Sequence, residues 1–133
     1  AGDPVSVVIV GAGNLGRALT YYGGFASGGF PIKGLVDSSP EVIGQEVAGI
    51  TVEPFEKLKD VVQKNSCTLG IIATPAAAAQ LVADQLFDAG IYSILNFAPG
   101  LVTVPESVTL RKVDLATELH ILAFHEQQRE RNE

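Results

Sequence analysis

The stretch V-S-V-V-I-V-G-A-G-N-L-G-R-A-L, residues 5–19, decides the fold. A β-branched apolar run at 5–10 opens onto Gly11, Gly13 and Gly16, spaced G-x-G-x-x-G, and an apolar-periodic segment begins at Leu15. That order predicts a buried strand, a tight turn and a helix start. Backbone N–H groups in a first helical turn have no intrahelical partner, and the aligned peptide dipoles favour an anion beside them. The geometry suits a pyrophosphate. The three glycines act differently. Gly11 makes the turn, Gly13 lets the backbone approach the phosphate, and Gly16 lets helix and strand pack closely. Ala12, Asn14 and Leu15 complete the candidate cradle.

Outward from this loop, an apolar segment at 32–36 predicts a second strand ending at Asp37, 21 residues after Gly16. That is the distance at which a dinucleotide-binding unit places a carboxylate on the adenosine ribose hydroxyls. A carboxylate there favours NAD over NADP, because a 2′-phosphate would be repelled, and no arginine follows among Ser38, Ser39 and Pro40. A second role, capping the turn through Ser38-Ser39-Pro40, is compatible with the first.

The remaining chain alternates strands and helices. A first helix is predicted at 15–22, ended by Gly23-Gly24, with a loop at 25–30. A helical turn follows at 40–44, a short irregular strand or hairpin at 46–52, and a helix at 54–65 with Pro54 in its first turn. Strands are predicted at 68–73, 91–95 and 108–113. A helix fills 75–89, and a last one runs from 115 to about 127 behind Asp114 as its cap. This is an α/β pattern, a doubly wound and mainly parallel sheet. Thr74-Pro75 and Asn96-Phe97-Ala98 then reach the same sheet edge as the glycine loop, where ligands of such sheets bind.

Composition narrows the function. The 133 residues suit one domain, 47% are hydrophobic, and the net charge is −6 with no basic patch, which argues against direct nucleic-acid contact. Apolar runs are interrupted every few residues, so no membrane span is expected, and no secretory signal opens the chain; a cytoplasmic location follows. Cys67 is alone and reads as a small buried hydrophobe. His120 and His125 are the only histidines, both on the last helix. Metal ligation is not expected, and no acid–base constellation marks an enzyme.

Several stretches together resemble the redox-sensing transcriptional repressor Rex family. They are V-V-I-V-G-A-G-N-L-G-R-A-L at 7–19, Y-G-G-F at 22–25, I-K-G-L-V-D at 32–37, T-P-A-A-A-A-Q at 74–80, G-I-Y-S-I-L-N-F-A-P at 90–99 and V-D-L-A-T-E-L at 113–119. The resemblance implies a Rossmann-like domain that binds NADH and NAD⁺ in competition. It further implies a homodimer with an exchanged carboxyl-terminal helix, and nicotinamides near the dimer interface. Operator DNA would be held by an amino-terminal winged helix and released by NADH. Residues 1–133 contain no such winged helix. The expected organisation is therefore a linker remnant at 1–4, the NAD(H)-binding domain at 5–113, a swapped dimerisation helix at 114–127 and a charged tail at 128–133. By the same resemblance Gly11, Gly13 and Gly16 match the pyrophosphate loop and Asp37 the ribose ligand. Thr74, Pro75, Asn96, Phe97 and Ala98 match the walls of the cofactor site. Tyr22 and Asp114 match an intersubunit pair that changes partner with redox state, and Leu115 matches a residue approaching the nicotinamide. Gly100-Leu101 departs from the more hydrophobic pair usual there. Two other readings stay open: the nucleotide-binding part of an NAD-dependent dehydrogenase or CoA-ligase-type protein, and a dimerisation module with a vestigial pocket.

Overall fold

Strand β1 (Val7–Val10) runs through the middle of the sheet with all four side chains buried. Helices and loops cover both of its faces, which is why its sequence is apolar without alternation. The computed structural model describes residues 3–132; Ala1, Gly2 and Glu133, and with them the first half of the linker reading and the last residue of the tail, lie outside the described residues. The other strands are β2 (Ile32–Asp37), β3 (Glu46–Val47), β4 (Ile50–Pro54), β5 (Leu69–Ile72), β6 (Ser93–Asn96) and β7 (Thr109–Lys112). Their order is β3-β4-β2-β1-β5-β6-β7. The pairing is parallel throughout, apart from the antiparallel β3–β4 hairpin. The order of strands across the sheet reverses at β1, between β2 and β5, and the crevice at the carboxyl ends of these strands is the natural ligand site.

Alternate residues of β1 feed two cores, as the period of a strand requires. Val7 and Ile9 join Leu35, Val52 and Ile71 beneath α1 (Asn14–Tyr21). Val8 and Val10 join Val36, Ile72, Val61 and Leu86 beneath α3 (Leu58–Lys64) and α4 (Ala76–Asp88). Between β6 and β7, residues 97–108 cross without a helix; Val102 and Val108 fill the core where a helix would have packed.

Several boundaries differ from the sequence reading, and four of the differences have a visible cause or consequence. Residues 25–30 are not simply a loop, because a one-turn helix, α2 (Gly24–Ser27), forms there. Pro54 closes β4 instead of opening a helix: it pairs in register with Asp37 and hands over to a 3-10 turn at Phe55–Lys57. Pro75 stands at the N-cap of α4 with extended backbone (ψ 159°), so the helix starts one residue later. The last helix, α5 (Leu115–Arg131), passes the boundary at 127 and takes in most of the tail. Arg129 and Arg131 sit in its final turn, where cations complement the helix dipole, and Arg129 pairs with Glu126 at 2.9 Å.

Cys67 is buried, and burial pushes its thiol up to about 11, against a smaller opposing pull from Lys33. The unfolded thiol ionises first, near its ordinary 9.0, so the stability held by the neutral buried thiol is present below that pH and is lost as pH rises toward about 11. Denaturation curves on either side of that window should show the loss, and a Cys67→Ala chain should lack that component of it.

Candidate functional site

Gly11 takes φ +113°, a left-handed value that suits glycine, and its N–H donates to the Val36 carbonyl at 2.9 Å. A Cβ on Gly11 would stand 2.5 Å from the Ala73 carbonyl oxygen, and one on Gly16 would overlap the Gly11 carbonyl. These two glycines are needed by the fold itself. Gly13 is different: nothing lies within 4 Å of the place its Cβ would take. That open space belongs to a cavity of about 280 Å³ lined by Gly11, Gly13, Asp37, Thr74 and Pro75. No side chain caps α1 behind Gly13, which leaves the first-turn N–H groups of Asn14, Leu15 and Gly16 available to an anion.

Asp37 stands across the loop from the cradle. Its Oδ2 accepts from the Ala12 N–H at 2.6 Å and its Oδ1 from the Ser39 N–H at 2.8 Å. One carboxylate thus braces the glycine loop and caps the following turn. Each oxygen retains acceptor capacity, enough for ribose hydroxyls. Thr74 supplies a further sign of a ligand. Its Oγ1 is buried without a hydrogen-bond partner, alone in this respect among side-chain polar atoms of the described residues. Leaving a buried hydroxyl unpaired costs about 1–3 kcal/mol, so a polar ligand group at this wall would gain from it.

Phe55, Ala78, Leu81 and Val82 form the apolar end of the same cavity, and sequence reasoning missed them as site residues. Leu81 carried a readable signal. The buried stripe of α4 is Ala79, Val82, Ala83 and Leu86, and Leu81 falls off it, 56% exposed. Leu81 instead lines the cavity beside Phe55.

A second hollow, about 150 Å³, lies among Phe97, Ala98, Pro99, Lys112, Asp114 and Leu115. Asn96 does not line it. Its buried Oδ1 accepts from the Ala98 N–H at 2.9 Å and shapes the turn that presents Phe97 and Ala98. Asp114 caps α5 by accepting from the Thr117 N–H at 3.0 Å. That hydrogen bond, helped by the nearby Lys112 charge, holds its carboxyl below the ordinary carboxylate range, so it is ionised at neutral pH. Tyr22 lines neither hollow. Its ring meets Phe25 edge-on at 4.8 Å and is 59% exposed. Within one chain it makes no hydrogen bond with Asp114 among the described residues. His120 and His125 are exposed on α5, outside both hollows. Among the described residues no group of three or more His, Cys, Asp or Glu could hold a metal ion, and no helix is long and apolar enough to cross a membrane.

Strand order, switch point and glycine cradle define a Rossmann-like domain of the nucleotide-binding type. Residues 3–100 match the CoA binding domain family. The chain is 56% identical over 123 residues to the redox-sensing transcriptional repressor Rex of Streptomyces avermitilis, covering 92% of this chain and 49% of that protein. Among solved structures it is similar to RSP, a Rex-family repressor, in complex with β-NADH, at 34% identity and a TM-score of 0.90, covering 96% of this chain and 62% of the other. The complex of RSP with β-NAD⁺ and operator DNA superposes with a TM-score of 0.88 at the same identity, covering 96% of this chain and 59% of the other. The chain belongs to the CoA binding domain family and to the Rex family. It spans about half the length of the Streptomyces relative.

Proposed function

We propose that this chain is the NADH- and NAD⁺-sensing core of a cytoplasmic transcriptional repressor whose operator binding is relieved by NADH. The observation that carries the reading is the single cavity shared by Gly13, Asp37 and the unpartnered Thr74 hydroxyl. In it the pyrophosphate takes the N-terminus of α1, the adenosine ribose takes Asp37, and the adenine takes the apolar end at Phe55 and Leu81. The nicotinamide extends toward Phe97, Ala98 and Leu115. NADH and NAD⁺ differ there by a hydride and one positive charge, and the ionised Asp114 is placed to feel that difference. Unequal affinity of the two forms for two dimer arrangements supplies the coupling, about 1–3 kcal/mol in systems of this kind. Operator DNA is held by a winged helix outside these residues. When NADH is added to an operator complex of the whole protein, release is expected at concentrations where NAD⁺ leaves it intact; a complex indifferent to NADH overturns the reading.

A homodimer belongs to the same proposal. Helix α5 has no buried residue, and Leu119, Leu122 and Phe124 are all more than half exposed. The sheet is open in a matching way. α1 covers β1 and β2, while Leu69, Leu95 and Thr109 surround a shallow hollow on the uncovered part of the face. A second copy offering its own α5 would cover apolar surface that one chain cannot. Replacing Leu119 and Leu122 together by Glu should convert the dimer to a monomer in sedimentation, without loss of the sheet's circular dichroism.

A further inference from the structure

Residues 97–108 form a long connection without secondary structure, yet they carry Phe97 and Ala98 into the second hollow. Val102 and Val108 anchor this connection in the core. Side chains from other elements add polar ties on both sides of Val102. Gln80, on the helix that walls the first cavity, closes a two-way amide clamp on this loop: its Nε2 donates to the Thr103 carbonyl and its Oε1 accepts from the Thr103 N–H, both at 2.9 Å. The Thr103 hydroxyl adds a longer contact to the same Oε1 at 3.4 Å. Asp84, one turn on, accepts from the same Nε2 at 2.9 Å and fixes the orientation of the amide. Lys112 makes the second tie, donating from Nζ to the Gly100 carbonyl at 3.0 Å. Between the two ties Leu101 is 89% accessible while Val102 beside it is buried. Burial of Val102 anchors the segment between the ties, and the polar ties fix the backbone on either side of it.

We infer that Gln80 is the positioning residue that joins the two halves of the dinucleotide site. It ties the α4 wall of the adenosine half to the loop that walls the nicotinamide half. The inference rests on the proposed placement of the nicotinamide at Phe97 and Ala98, and it assigns that placement a dependence on a side chain that touches neither half of the ligand.

Gln80→Glu is the sharpest variant. The replacement is isosteric and keeps an acceptor for the Thr103 N–H. It loses the donor to the Thr103 carbonyl and sets a second carboxylate beside Asp84. Gln80→Ala removes both hydrogen bonds without adding charge. Calorimetric titrations of the intact protein with NADH and with ADP separate the halves, because ADP lacks the nicotinamide. Both variants are expected to bind NADH about tenfold more weakly, the loss of one or two net hydrogen bonds, and to bind ADP like the parent. Lowering the pH should restore NADH binding to Gln80→Glu as its side chain takes up a proton and donates again, and should leave Gln80→Ala unrescued. Equal losses for NADH and ADP, or no loss for either, overturn the inference. A parent protein that binds NADH no better than ADP overturns the nicotinamide placement itself, whatever the variants do.

Discussion

Gly13→Ala is expected to fold as well as the parent and to bind NADH at least tenfold more weakly, whereas Gly16→Ala loses both binding and stability. The difference lies in what each new methyl group would meet. At Gly13 it enters empty space on the cavity, with the backbone at an ordinary φ of −78°. Nothing in the protein resists it, and what it excludes is the phosphate. At Gly16 it drives into the Gly11 carbonyl, so strand end and helix start must separate. Overpacking of a tight site typically costs about 1–3 kcal/mol, and a backbone oxygen that cannot turn aside places Gly16→Ala at the upper end. Thermal unfolding and a titration with NADH on both variants check the contrast. Equal melting temperatures for the two would contradict it.

Asp37→Ala should lower NADH affinity by about 10- to 100-fold, the range expected when charge-assisted hydrogen bonds of roughly 1.5–3 kcal/mol are lost. Two causes act together. The ribose hydroxyls lose their acceptor, and the buried Ala12 N–H loses the carboxylate oxygen that holds it at 2.6 Å, which loosens the glycine loop. The same change removes the charge that would repel a 2′-phosphate, so the preference for NADH over NADPH should narrow. Titration of the variant with both nucleotides reads the two effects separately. A variant that keeps the parent's NADPH discrimination would show that Asp37 acts on the loop alone.

The first strand and the glycine turn were legible because their physics is local. An unbroken β-branched run followed by glycines at fixed offsets has few structural solutions, and the later strands repeated the pattern. Asp37 was legible by spacing, and its carboxylate both caps the turn and braces the glycine loop. The elements that escaped depend on tertiary partners. Pro54 reads as a helix opener in isolation, but pairing with Asp37 draws it into β4. Helix α2 is a single turn in a glycine-rich stretch whose local preference is weak. Asn96 lay at the expected sheet edge, but which way its side chain turned was decided by the Ala98 N–H, two residues on. The cavity's apolar end joins Phe55 to Leu81 across two elements, a closeness that no short-range pattern encodes.

A dimer of this chain is proposed to distinguish the redox states of one nucleotide. Calorimetric titration with NADH, NAD⁺ and NADPH, with the solution mass recorded on the same sample, tests it most directly. A dimer that binds NADH much more tightly than NAD⁺, and NADPH weakly, is expected. Equal affinities for NADH and NAD⁺, or a monomer, would contradict it and return the chain to the reading of a dehydrogenase's nucleotide-binding part.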